Sequence, residues 1–191
     1  MSENQNSQAP HTTITFLPPK FENIPLELQE FPQWVAWFAA EKPGKTKPDK
    51  IPLNPKTGAF ASTADAATWG SYEQAKLHYM VNAGKPLTIK VSGVDRTGLI
   101  SGVGFVLTEG DPFVGIDLDA CVTEQGQLEL WAREIVEQVA SYSELSPSGN
   151  GVRIFVKGKL PGALCRVGKV ELYQRGRYLT VTGRVLPKVE A

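Results

Sequence analysis

Six consecutive residues constrain this chain more than any others: Val114-Gly115-Ile116-Asp117-Leu118-Asp119. Their apolar/polar alternation has the period of a β-strand, so Ile116 and Leu118 point to one face and both carboxylates to the other, with acid Cα atoms roughly 6 to 7 Å apart. A fold that accepts this strand must bury the first face and give the second a surrounding that tolerates two like charges. Like charges this close repel, and a divalent cation relieves the repulsion. Two solvated acids at a strand end satisfy the same pattern, and the pair alone leaves these readings even. An EF-hand is excluded, because Cys121 and Val122 stand at the fifth and sixth loop positions, where a ligand and a glycine belong.

The 191 residues suffice for one well-buried domain. Residues 1–20 are rich in Ser, Asn, Gln and Pro and read as a mobile leader, with folding expected to begin near Phe21 and a short tail over 187–191. FPQWVAWFA, from Phe31 to Ala39, reads as a buried strand. The segment that follows, EKPGKTKPDKIPLNPKTG, mixes five lysines with four prolines, which excludes helix and favours an extended loop. Thr68 to Gly84 has helical periodicity through Trp69, Tyr72, Ala75, Leu77 and Met80, with Ser62 or Thr63 as the cap and Gly84 as the stop. Gly102–Thr108 and Phe113–Ala120 read as two strands joined by a turn at Gly110, Asp111 and Pro112. A second helix over Gln127–Ala140 presents Leu128, Trp131, Ile135, Val136 and Val139 on one face. VRIFV, KVELY and YLTVT supply further strands. The expected class is α+β, a two-layer design with helices on a largely antiparallel sheet and a ferredoxin-like or RNA-recognition-like core.

Twenty Lys+Arg balance twenty Asp+Glu, so nucleic-acid affinity must come from local patches. Cys121 and Cys165 lack the spacing of a zinc site or disulfide framework and read as ordinary thiols. The chain contains neither a signal peptide nor a run of roughly eighteen apolar residues, so a soluble cytoplasmic protein without a membrane role is expected.

Ser146-Pro147-Ser148-Gly149-Asn150-Gly151-Val152-Arg153 is a hydroxyl- and glycine-rich turn followed by an arginine on a strand. Its amides and hydroxyls can cradle an anion and Arg153 can grip phosphate, although Ser-Pro-Ser-Gly is also ordinary turn chemistry. It is not a P-loop, since Gly-x-x-x-x-Gly-Lys-Ser/Thr occurs nowhere. Glu171, in Lys169-Val170-Glu171-Leu172-Tyr173, alternates with apolar neighbours and offers a third acid, enough for a two-metal site. Lys169, Arg175 and Arg177 can meet phosphates or template, or be solvated. His11 in the leader and His78 in a helix make no persuasive base, and no Ser-His-Asp or Cys-His set is present.

From about Phe31 to Gly183 the ordered motifs FPQWVAW, ASTADAATW, GVGFVLTEGDPFVGIDLDACV, SYSELSPSGNGVRIFVKGKLPG and VELYQRGRYLTVTG resemble the archaeo-eukaryotic primase superfamily. The match is to the bifunctional primase/polymerase N-terminal domain of phage, prophage and plasmid replication proteins. The resemblance implies an RNA-recognition-like catalytic sheet over about 101–186, a smaller N-terminal α/β element over about 21–100, and one functional unit spanning 21–186. It implies that Asp117, Asp119 and Glu171 are the catalytic acids and hold two Mg²⁺ or Mn²⁺ ions. Ser146, Ser148, Gly149, Asn150, Gly151, Arg153 and Arg177 are then the nucleotide-binding residues, with Lys47, Lys50 and Arg175 along the nucleic acid. The implied partners are a single-stranded DNA template, nucleoside triphosphates and a helicase domain or protein. The family usually carries His where this chain has Arg153; Arg preserves charge for phosphate binding but cannot exchange a proton near neutrality. Rival readings are a noncatalytic nucleic-acid-binding replication module and a metal-dependent nuclease.

Overall fold

The computed structural model describes residues 15–41, 47–162 and 166–187. Its strands form two five-stranded antiparallel sheets, and with three α-helices they make the α+β class expected. The first sheet has the order β10-β4-β1-β2, with β3 also on β4, and contains β1 (Trp34–Ala40), β2 (Asp49–Leu53), β3 (Pro86–Val91), β4 (Val94–Leu107) and β10 (Arg177–Val181). The second has the order β6-β7-β5-β9-β8 and contains β5 (Phe113–Leu118), β6 (Tyr142–Leu145), β7 (Val152–Lys157), β8 (Arg166–Val167) and β9 (Val170–Tyr173). The helices are α1 (Leu26–Gln29), α2 (Tyr72–Asn82) and α3 (Leu130–Val139). No helix among the described residues is long and apolar enough to cross a membrane.

Several local expectations change. The lysine/proline segment contains β2, which pairs with β1 from Ala36↔Leu53 to Ala40↔Asp49; prolines are tolerated on such an edge strand. Residues 42–46 of that segment, with Lys42 and Lys45, lie outside the described residues, as do His11 and Cys165. The cap of α2 is Ser71, not Ser62 or Thr63: its Oγ accepts from Gln74 N–H while Gln74 Oε1 accepts from Ser71 N–H. Gly84, at φ +72°, is the expected stop. Only the Tyr72 and Ala75 side of α2 is buried, so Leu77 and Met80 face outward and Trp69 precedes the helix.

The two strands around Gly110-Asp111-Pro112 do not form a hairpin. β4 belongs to the first sheet and β5 to the second. Asp111 is the reason: buried, it accepts from Thr108 N–H and Oγ1–H, Phe113 N–H and Gln33 Nε2–H. Those bonds lock a turn that delivers the chain to another layer. Residues 16–20, read from sequence as part of a mobile leader, are engaged: Leu17 N–H donates to Pro147 O at 2.8 Å, Lys20 N–H donates to Thr182 O at 2.7 Å, and Phe16 meets Trp37 edge-on.

The face of the second sheet bearing Ile116, Leu118, Val152 and Ile154 is covered by α3, where Trp131, Ile135, Val136 and Val139 pack as their spacing predicts. The opposite face meets the first sheet. Phe113 and Phe155 pack there against Phe105 of β4. At Gly115 a Cβ would lie 2.4 Å from Leu179 Cδ1 and 2.7 Å from Leu107 Cδ1, so a larger residue would push both leucine side chains aside. By strand alternation the next residue on that face is Asp117, and the inter-sheet layer turns from apolar to charged.

Glu144 ties the two layers together at this junction. It is completely buried, and its carboxylate accepts from Thr182 N–H, Gly183 N–H and Tyr142 OH at 2.6 to 2.8 Å. Burial pushes its carboxyl up to about 7, against the opposing pull of those donors. A pKa raised on folding stabilises the fold below the unfolded value near 4.5, and that contribution disappears as pH climbs through about 7. Wild-type protein is therefore expected to lose about 2 kcal/mol relative to Glu144→Gln between pH 5 and pH 8. Urea unfolding of both proteins across that range checks this; parallel curves contradict it.

Candidate active site

The register of the second sheet sets five charged residues in one row, Glu144–Arg153–Asp117–Glu171–Arg166, each directly opposite its neighbour. Directly opposed residues share a face, so the row lies on the side turned to the first sheet. Arg153 Nη2 lies 3.0 Å from Asp117 Oδ2, with side chains only 8% and 15% exposed, and Arg153 Nη1 donates to Thr180 Oγ1 on β10. Arg166 Nη1 lies 2.8 Å from Glu171 Oε1, and Tyr173 OH donates to Glu171 Oε2. Between the sheets a cleft of about 310 Å³ opens on Asp117, Arg153, Glu171 and Tyr173 from one side and on Lys50 and residues 177–180 from the other.

The acids expected to act together are distributed unequally. Asp117 and Glu171 are register partners inside the cleft. Asp119 lies just beyond β5, exposed, with its N–H donated to Lys169 O at 2.9 Å. Among the described residues no three of His, Cys, Asp and Glu form a ready metal cage. Asp117 Oδ1, however, is buried without a hydrogen-bond partner. An orphaned carboxylate oxygen beside a second carboxylate has the chemistry a divalent cation requires, so the residues present fit such an ion. Asp117 and Glu171 would hold it, with Asp119 at the open end.

The Ser146–Gly151 turn stands at the same end of the sheet. Ser146 is buried, its Oγ accepting from Gly151 N–H at 3.1 Å and pairing with Ser148 Oγ at 3.2 Å. Gly149 N–H donates to Ser146 O, and Asn150 O accepts from Cys121 and Val122 N–H, so the turn is docked beside Asp119. Two of the amides expected to cradle an anion are thus used within the turn, leaving Ser148 and Asn150 exposed at its surface. Arg177 is exposed and stacks over Tyr173 at 5.5 Å. Arg175 forms an exposed ion pair with Glu109, and Lys47 is exposed. Cys121 is buried, with its thiol pushed up to about 11 by that burial.

Lys50, expected to meet template, lines the cleft itself. Its ammonium lies 5.8 Å from the Phe16 ring and 5.9 Å from the Trp37 ring, and its carbonyl accepts from Tyr178 OH at 2.7 Å. Burial and, next, the Arg153 charge lower it to about 8, while Asp117 and Asp119 pull the other way. Sequence reading also missed Thr180, Tyr173, Tyr178 and Arg166. Thr180 was the most visible, a polar residue inside the apolar strand YLTVT.

Asp117 and Glu171 opening on a cleft, with the serine/glycine turn and Arg153 beside them, stand in the order named in the family resemblance, and the chain is similar over most of its own length to a phage primase-polymerase. Over 165 residues, 83% of its length, it is 38% identical to a protein of Nitratiruptor phage NrS-1 named DNA Primase-polymerase. The chain spans 20% of that relative's length. No protein-family model matches the chain.

Proposed function

We propose that the cleft is a nucleotidyl-transfer site, at which the domain adds nucleotides to a growing strand on a single-stranded DNA template during phage, prophage or plasmid replication in the cytoplasm. The observation that carries this reading is the row Arg153–Asp117–Glu171, in a chain 38% identical to a phage DNA primase-polymerase. The second sheet then takes the part of an RNA-recognition-like catalytic sheet. Asp117, Asp119 and Glu171 would hold Mg²⁺ or Mn²⁺, and such ions neutralise charge on a triphosphate and acidify an attacking 3′-hydroxyl. Arg153 keeps the Asp117 carboxylate turned into the cleft and is shielded from water by the first sheet. Ser148 and Asn150 offer polar side chains at the turn, and Arg177 offers a cation at the rim. Exposed Lys47 and Arg175 suit backbone contacts with template, which tolerate any base order. A helicase domain or protein is the partner that would expose such a template.

Asp117→Ala/Asp119→Ala is expected to abolish metal-dependent incorporation of labelled nucleotide on a primed single strand, reducing it at least about a thousandfold. Retained incorporation sinks the assignment. Template binding without any synthesis by the wild type favours a noncatalytic module, and metal-dependent cleavage of the strand favours a nuclease.

A further inference from the structure

The cations that line the cleft differ in what they have left to offer. Arg153 holds Thr180 through Nη1 and Asp117 through Nη2, and its remaining donor, Nε–H, is buried without a partner and out of reach of solvent. Arg177 lies exposed on Tyr173 at the rim. Lys50 is built in: its backbone is paired in β2 and bonded by Tyr178 OH, its ammonium rests against the Phe16 and Trp37 rings, and it has neither a hydrogen bond nor an ion pair to any described residue. Aromatic faces hold a cation without supplying the counter-charge it lacks.

We infer that Lys50 receives the outer, β- and γ-phosphates of the incoming nucleoside triphosphate, a role expected from sequence to fall to Arg153. The inference rests on the nucleotidyl-transfer reading of the cleft. Lysine is a compact point charge that suits a phosphate chain approaching from the open side, whereas Arg153 spends Nη1 on Thr180 and Nη2 on Asp117 and keeps its unpaired Nε–H buried. The surroundings of Lys50 agree. Arg153, Lys47, Asp117 and Asp119 all act on its charge, and burial with Arg153 holds the ammonium near 8, a strain that a polyanion relieves. Phe16 gives the segment before Phe21 a function, as one wall that keeps Lys50 aimed. Leu17, the next residue, bonds to Pro147 of the serine turn, so the same segment touches both sides of the site.

The test measures equilibrium binding of a nucleoside 5′-triphosphate and of the matching 5′-monophosphate, with Ca²⁺ present, to the whole chain. Wild type is compared with Lys50→Met, Lys50→Gln and Lys50→Arg, each checked for folding by thermal melt. Loss of one charge-assisted contact predicts triphosphate binding weakened about ten- to a hundredfold in the two neutral variants, monophosphate binding changed less than about twofold, and affinity largely kept by Lys50→Arg. The inference is overturned if wild type and neutral variants bind triphosphate alike, or if both ligands weaken together, which marks a structural residue. A wild type that binds no triphosphate overturns the nucleotidyl-transfer reading itself, and this inference with it.

Discussion

Arg153→Met is expected to lower the stability of the domain by about 3 kcal/mol and to remove nucleotide incorporation. Arg153 and Asp117 are almost completely shielded from water, and removing one member of a buried ion pair leaves an uncompensated charge that the other cannot hydrate. The variant also orphans Thr180 Oγ1 and leaves Asp117 with neither oxygen bonded. Arg153→Lys should fall between, because one ammonium cannot reach both Asp117 and Thr180 as a planar fork does. Two roles are separable by adding Asp117→Leu to Arg153→Met. Replacing both charges with apolar groups should recover most of the stability, since a buried pair contributes little net energy over a hydrophobic pair, while incorporation stays lost. Urea unfolding and an incorporation assay on the three proteins check this; an unchanged unfolding midpoint in Arg153→Met contradicts it.

Phe105→Ala should cost about 4 kcal/mol. The ring is fully buried and lies 5.4 Å from Trp34 of its own sheet, 5.9 Å from Phe113 and 6.2 Å from Phe155 of the other, each contact close to edge-on. Truncation leaves a cavity at the joint between the sheets that neither framework can close by itself. Because the cleft is the continuation of this joint, the damage should reach it: incorporation is expected to fall even at temperatures where the variant remains folded. Phe105→Leu, which keeps most of the volume, should cost about 1 kcal/mol and preserve activity. Thermal melts with parallel incorporation assays decide between this linked loss and a purely local one.

Much of what these variants disturb is visible in the one-dimensional pattern. The alternation around Ile116, Asp117 and Leu118 reports a strand with one buried face, and Trp131, Ile135, Val136 and Val139 report the helix that buries it. These signals are local, carried by residues a few positions apart, and local geometry follows from them. The turn at Asp111 has the same local look and misleads, because its carboxylate is satisfied partly by Gln33, 78 residues earlier, and so directs the chain away from a hairpin. Leu77 and Met80 mislead similarly: their spacing is helical, but the first sheet covers only the Tyr72 and Ala75 side.

The amino-acid pattern alone marked β1, the end of β4, β5, α3, β7, β9 and β10, the nearness of Asp117 to Asp119 along the chain and the order of the family motifs, and it missed β2, β3 and β6. The packing of the sheets adds that Arg153 and Glu171 flank Asp117, that Asp119 lies exposed just beyond β5, and that Lys50 lines the cleft with its ammonium against Phe16. Each of these depends on strand register or on the packing of one sheet against another. Such pairings are chosen by the summed burial of many distant residues, and no short stretch of chain encodes them.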